Sequence, residues 1–407
     1  MLLRKITGIL IVLTLATASY GAEFEVKPSL AVSEEYTDNV FDTNSKVSDF
    51  ITRAMPSITM LMKSPVLTGD LSYQFDYRYY ARHNLDDEMV HVLAAKGILT
   101  LVDNLLFVEM SDAYQRVSLD VTRDVTTESL AANQTDRNVF TVSPYLLLRA
   151  SSTTMAKTGY RFIDTHYFDS IGIDKMEHTA FAEAIHEFSS SWKGLVGYNF
   201  VRMDAGSSNS YNQQKAYAGF RYEYADKSFF SAQGGRIWTD FDNQNSQRNL
   251  YWNVALSYFV DNVTATLSSE LRFTEDPKGT ASREKLNSIK VEKALAKGSA
   301  GLECEYSEFA NNENGVTNTR KIAGRVNWHN EITSLLKGNV TFAAERYQYP
   351  LQSTYTRRFL VESSINYQLA EQLTTSLSYI FVDYYSPGIV TDNRTVNRIM
   401  LELKKSF

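Results

Sequence analysis

The chain has 407 residues, a formal net charge of −6, one cysteine and 13% aromatic residues against only 7 prolines, which excludes a disordered or collagen-like polymer. Its acidic balance lacks the basic face that a nucleic-acid partner requires, and the lone Cys304 excludes an internal disulfide framework and a cysteine-cluster metal site. The mean hydropathy is slightly negative, as in soluble proteins, but an average says nothing about how apolar residues are placed.

The first element is a leader. Arg4 and Lys5 precede an apolar run over residues 6–18, and small residues follow, with cleavage expected after Ala18, Gly21 or Ala22. This is the plan of a secretory signal peptide, too short to span a membrane as a helix. Residues 1–22 are thus expected to be removed, leaving 23–407 as a single domain. No cysteine directly follows the apolar run, which disfavours a lipoprotein, and no later segment reaches 18 apolar residues, so no transmembrane helix is expected.

From there onward the apolar residues recur with period 2. Leu71, Tyr73, Phe75, Tyr77 and Tyr79 alternate with Asp70, Ser72, Gln74, Asp76 and Arg78, and in a strand the two sets project to opposite faces. The pattern returns at Leu250, Trp252, Val254, Leu256 and Tyr258, at Ala300, Leu302, Cys304 and Tyr306, and at Val340, Phe342 and Ala344. Residues 89–101, 174–189 and 228–238 alternate poorly. The connections run short, long, short, long. Short ones include Asp103-Asn104, Asp226-Lys227 and Asp261-Asn262; long ones include 118–136 and 204–212. A soluble sandwich has no reason to keep its tight turns at one end, whereas a transmembrane barrel does. The fold class expected is all-β: a closed antiparallel transmembrane β-barrel of about 18–20 strands, beginning near Pro28, with short periplasmic turns and longer extracellular loops. One lipid-facing and one polar face per strand places it in the bacterial outer membrane, with outer-membrane lipids as its surroundings.

On the expected lumen side, the better-patterned strands carry Lys215, Arg221, Glu223, Glu270, Arg272, Glu303, Glu305, Lys321, Arg325, Lys337, Glu345, Arg358 and Glu362, with Tyr217 and Tyr251 among them. With Lys290, Glu284 and Glu292 of the same strands, acids and bases balance there at eight each. Because selectivity follows lining charge, a neutral or weakly charged passenger is expected, with the two tyrosines placed to stack on sugar rings. The same residues equally suit ion pairs and wall-filling rings that stiffen the barrel. The loop at 118–136, carrying Asp120, Arg123, Asp124, Glu128 and Asp136, either narrows the lumen or lies outside it. The outer faces offer Tyr36, Tyr79, Trp192, Tyr224, Trp252, Tyr258, Trp328, Tyr367 and Tyr379 as interfacial girdles.

No catalytic motif stands out. There is no Gly-x-Ser-x-Gly, His-Glu-x-x-His or P-loop. His178 and His186 share parity, but eight strand residues separate them by roughly 27 Å. His166, with Asp164 and Ser170 nearby, forms no set that spacing alone brings together. Neither an enzyme nor a cofactor is expected.

The final strand, with Ile399, Leu401, Leu403 and Phe407 on one face, resembles the terminal signature read by the barrel-assembly machinery in bacterial outer-membrane barrels. Lys405 departs from that signature. At the other end, Ser33-Glu34-Glu35-Tyr36-Thr37-Asp38-Asn39-Val40-Phe41 is followed by a strand containing Pro56. This stretch resembles the β-barrel porin 2 family, outer-membrane proteins found with exopolysaccharide and PEP-CTERM gene clusters. The specific likeness covers about the first 40 residues after the leader. It implies a pore serving polysaccharide secretion, with a polysaccharide and a periplasmic export partner. A general diffusion porin, or a structural or adhesive barrel, is the alternative. Asp38 and Asn39 are read as a turn capping the first hairpin, because both are common turn formers.

Overall fold

The computed structural model describes residues 22–119, 134–168, 171–206, 210–242, 245–275, 277, 281–312, 314–388 and 392–407. The expected leader and most of the 118–136 loop lie outside the described residues. The chain forms one 20-stranded antiparallel sheet. Its first half comprises β1 (Glu23–Thr37), β2 (Asp49–Lys63), β3 (Leu67–Tyr80), β4 (Glu88–Val102), β5 (Leu106–Ser118), β6 (Gln134–Arg149), β7 (Thr154–Tyr167), β8 (Lys175–Glu187), β9 (Trp192–Asp204) and β10 (Tyr211–Ala225). The second half comprises β11 (Ser228–Phe241), β12 (Gln247–Val260), β13 (Val263–Glu275), β14 (Ala281–Leu295), β15 (Gly298–Asn311), β16 (Thr317–Glu331), β17 (Leu336–Tyr349), β18 (Thr354–Ala370), β19 (Leu373–Tyr385) and β20 (Arg394–Ser406). No helix among the described residues is long and apolar enough to cross a membrane; this chain crosses with strands.

Consecutive strands pair throughout, and β1 pairs with β20 over Ser29–Thr37 against Ser406–Arg398, which closes the sheet. The first strand starts at Glu23 rather than near Pro28. Pro28 is tolerated inside it because its missing donor faces the end of β20, where pairing stops, and its carbonyl accepts from the Phe407 amide at 3.0 Å. Pro56 and Pro144 sit where the β2–β3 and β6–β7 ladders skip, for the same reason. The three poorly alternating segments are strands β4, β8 and β11.

Each ladder keeps parity, so one alternate set of residues makes a continuous face around the barrel. Glu35, Arg53, Asp76, Lys215, Glu270 and Glu345 lie on it. The opposite face carries the exposed Val32, Leu250, Leu267, Ile289, Ile322, Leu377 and Leu401 and the nine girdle aromatics, and is the exterior. At one end the strands join through tight turns, several with left-handed residues: Asn104 (φ 60°), Lys227 (φ 54°), and Asp261 and Asn262 (φ 48° and 64°). Two successive positive φ values in a two-residue connection match the twist of the flanking strands. Asn and Asp adopt that conformation at low cost, whereas a β-branched side chain does not. Asn262→Val is therefore expected to lower stability by about 1–3 kcal/mol while Asn262→Gly leaves it near wild type, as read from urea midpoints of the purified barrel.

Candidate functional site

The site is the inner wall. Every candidate lumen residue read from the sequence lies on the inner face. Many of them meet one another: Arg221 and Glu223 at 3.0 Å, Arg272 and Glu270 at 3.6 Å, Lys321 and Glu305 at 3.9 Å, and the buried Arg358 and Glu345 at 2.8 Å. Glu303 stands opposite Arg325 in register, Glu362 opposite Thr341, and Lys337 reaches Glu331 at 3.3 Å. The interior is thus largely neutralised from within.

Two inner-wall features exceed what the sequence revealed. The first is a row that runs straight across five strands: Glu183, Gly197, Tyr217, Gly235 and Tyr251 stand directly opposite one another on β8 to β12. A Cβ at Gly197 would collide with the Tyr217 ring, and one at Gly235 with the backbone of Ala216 and Tyr217. The two glycines therefore let Tyr217 lie along the wall. Its hydroxyl donates to Glu183 at 2.8 Å, and that of Tyr251 donates to Gln233 at 3.2 Å. The rings meet edge to face at 5.7 Å, and the Lys215 ammonium sits 5.0 and 4.7 Å from their centres. Further along the inner wall, Phe107 stacks on Tyr145 at 5.3 Å, and the Lys157 ammonium lies 3.9 Å from the Tyr145 ring. The aromatics and their cations thus offer flat faces to the lumen over β5 to β12.

The second feature is a ladder of charges near the mouth, none of them among the candidates above. Arg398 of β20 meets Glu35 of β1 at 3.1 Å, Glu35 meets Arg53 of β2 at 3.6 Å, and Arg53 meets Asp76 of β3 at 2.6 Å. Asp76 also meets Arg78 at 2.9 Å, and Arg78 reaches Glu88 of β4 at 3.3 Å. The chain of ion pairs crosses the β1–β20 seam. Glu35, Asp76, Arg78 and Arg398 are buried. Beside them, Val40 of the first loop packs with Phe41, Val47 and Leu85 on Ile51 and Tyr80, which are directly opposed on the inner face. The first loop thus turns inward at the mouth, a role that the sequence offered to 118–136.

Asp38 and Asn39 do cap the hairpin, and also clasp the seam. Asp38 accepts from the Asn397 amide at 2.7 Å, from the Asn397 side chain at 2.8 Å and from Lys46 at 2.7 Å. Asn39 donates to the carbonyls of Thr43 and Thr395, and Arg394 donates to Asp42 at 2.7 Å. Burial pushes the Asp38 carboxyl up, but the Lys46 and Asn397 bonds and the Lys46 charge outweigh it and hold the group below the usual carboxylate range. At the terminus, Leu401, Leu403 and Phe407 are exposed, and the Lys405 ammonium lies 5.2 Å from the Phe407 ring.

The histidines form no common site. His166 meets Asp174 at 2.6 Å, His178 bonds Tyr160 and His186 bonds Thr154; Ser170 lies outside the described residues. No group of metal-ligating side chains occurs among the described residues.

A closed barrel with an apolar exterior and a polar, self-paired interior is a β-barrel of the bacterial outer membrane. Its fold is similar to that of the copper transporter OprC (10% identity, TM-score 0.57, covering 95% of this chain and 80% of that one). It is also similar to the siderophore receptor PirA from Pseudomonas aeruginosa (10% identity, TM-score 0.52, 94% and 80%). A third likeness is to the ferric enterobactin receptor PfeA, in a mutant form from Pseudomonas aeruginosa (9% identity, TM-score 0.53, 94% and 81%). At these identities the likeness is one of fold. No protein-family model matches the chain, and no curated protein matches it.

Two outcomes are expected from this geometry. Because the folded Asp38 carboxyl is more acidic than the unfolded one, its clasp contributes fully above the ordinary aspartate value of about 3.9 and is lost as pH falls through the lower, folded value. Urea midpoints should therefore drop in acid for the wild type and vary less with pH in Asp38→Asn. Glu35→Ala removes the carboxylate that Arg398 and Arg53 both meet. It should cost about 3–5 kcal/mol, read as a lower temperature for loss of the folded, heat-modifiable band.

Proposed function

We propose that the barrel is an aqueous channel for a neutral or weakly charged carbohydrate, and that its role is secretion of an exopolysaccharide. The aromatic row carries this reading. Tyr217 lies along the inner wall because Gly197 makes room for its ring, Tyr251 meets it edge to face, and a flat ring facing water is the surface on which the apolar face of a sugar packs. The self-paired charges support the same passenger, since a lining with no excess of either sign neither traps nor repels a neutral chain. A barrel of 20 strands also encloses more space than its own side chains fill, because diameter grows with strand number. The direction of transport, outward and with a periplasmic export partner, follows from the resemblance of the 33–41 stretch alone. The chain is read as non-catalytic: His91, His178 and His186 bond Tyr73, Tyr160 and Thr154 on the outer face, and His329 bonds Asn339 on the inner face.

The test is conductance of the purified barrel in a planar bilayer, with maltohexaose as a neutral glucan probe. The expected result is a stable conducting channel with little ion selectivity, partially blocked by the glucan. In the double variant Tyr217→Ala/Tyr251→Ala the block should weaken at least fivefold with conductance retained. A non-conducting barrel overturns the channel. Conductance with no block in either protein leaves a general diffusion pore instead. Unchanged surface polysaccharide after deletion of the gene overturns the secretion role.

A further inference from the structure

The outer face of β14 to β18 carries a charge arrangement that the channel does not use. Next to the loop end of these strands, Lys285, Glu308, Arg320 and Gln348 stand in register across β14 to β17. One row closer to the membrane centre, Tyr306, Ile322, Arg346, Arg357 and Tyr385 stand in register across β15 to β19. Below them the exterior becomes mostly apolar, with Ile289, Val326, Phe342 and Phe359 all exposed and Asp383 of β19 standing opposite Phe359. The cations therefore sit at the upper edge of the apolar band, at the level of lipid headgroups in the outer leaflet.

These cations outnumber their partners. Glu308 meets Arg320 at 3.2 Å and Lys285 at 3.8 Å, and it also accepts from the Tyr306 hydroxyl at 2.7 Å. Arg346 and Arg357 are directly opposite each other and both exposed. Among the described residues neither has a carboxylate within ion-pair distance. Their guanidinium groups instead flank one ring, at 4.7 and 5.2 Å from the centre of Tyr355. Like charges directly opposite in a sheet are destabilising. On the same outer face, Arg202 is held by Asp204 and Asp242, each at 2.8 Å, so Arg346 and Arg357 stand out as cations with no carboxylate partner among the described residues. Two neighbouring guanidiniums match a phosphate, whose oxygens accept paired hydrogen bonds from each.

We propose that this face binds the phosphorylated headgroup of an outer-leaflet lipid. Arg346 and Arg357 hold one phosphate between them, and Arg320 and Lys285 supply the adjacent positive field. The acyl chains lie down the apolar surface of Phe342, Phe359 and Val326. The site is built for a lipid rather than a free anion because the phosphate position and the apolar surface are contiguous on the same strands.

The test uses the full-length barrel in non-ionic detergent, with native mass spectrometry as the readout. Bisphosphorylated lipid A is the probe, and its dephosphorylated form and inorganic phosphate are the comparisons. The phosphorylated lipid is expected to bind, and the variant Arg346→Gln/Arg357→Gln to bind at least tenfold more weakly. Lys293→Gln, at the turn end of β14, should bind as the wild type does. Each protein is assayed as its heat-modifiable, folded form. Should the double variant not fold, the single variants R346Q and R357Q carry the comparison, each with at least a threefold loss expected. Wild-type affinity in the arginine variants overturns the proposal. So does equal binding of the dephosphorylated lipid. Full competition by inorganic phosphate at the lipid's own concentration assigns the arginines to a free-anion site and overturns the lipid.

Discussion

A backbone that crosses hydrocarbon must bond every amide and carbonyl within the protein, because the surroundings offer neither donor nor acceptor. In this chain that demand falls hardest on one ladder. Every other strand pairs with its neighbour in sequence, so its closure costs only a turn or a loop. β1 and β20 must meet across nearly the whole chain, and the nine residue pairs from Ser29 to Thr37 convert an open sheet with two bare edges into a barrel with none. The surrounding chemistry is arranged about that seam. The Asp38 side chain binds Asn397, Asp42 binds Arg394, Glu35 binds Arg398, and the amide of Phe407 binds the carbonyl of Pro28. Main-chain bonds specify that two strands pair, and these side chains specify which two and in which register.

The lumen follows from closure. A wide barrel cannot fill its interior with side chains, so its wall must satisfy itself. The wall does so by two means. Charges pair with charges, as in the run from Arg398 to Glu88. Rings lie down on glycines, as Tyr217 does over Gly197. Both hold side chains against the wall, where a long unpaired side chain would reach into the channel. The first loop completes the arrangement at the mouth, where Val40 and Phe41 cover Ile51 and Tyr80 beside the charge ladder.

The architecture was readable because period 2 is a local property. Leu71 to Tyr79 declares its two faces within a single strand, and the alternation of short and long connections declares which end is which. Strands β4, β8 and β11 were obscure for a specific reason. β4 presents Val90, Val92 and Ile98 inward, and β11 has Gly235 and Ile237 inward with Arg236 outward, so polarity no longer marks the face. The site was less legible, because it depends on register between strands. Asp76 and Arg78 were visible as polar positions, but nothing in their own strand says that Arg53 and Glu88 reach them. Gly197 and Gly235 look like isolated strand breakers until the pairing sets Tyr217 between them. The one available signal was glycine at inward parity beside strands carrying inward aromatics, a pattern that close ring packing leaves in sheets. Lys215, Tyr217 and Tyr251 were found from sequence; the glycines that make room for Tyr217 were not.

Charge is distributed differently on the two faces, and the difference is informative. The inner face, bathed in water, could tolerate unpaired ions at little cost, yet it pairs most of them. The outer face borders hydrocarbon, where an unpaired cation is expensive in a depth-dependent way, yet Arg346 and Arg357 stand side by side there, both close to the Tyr355 ring. Two long side chains at the edge of the apolar band reduce that cost by snorkelling toward the headgroups. Snorkelling accounts for their tolerance but not for their adjacency, since a single cation would incur less repulsion. Contact with the Tyr355 ring offsets part of that repulsion; an anion between the two groups offsets more, and in a membrane the anions at that height belong to lipids. The interior charges thus answer to one another, while these exterior charges answer to the leaflet in which the barrel sits.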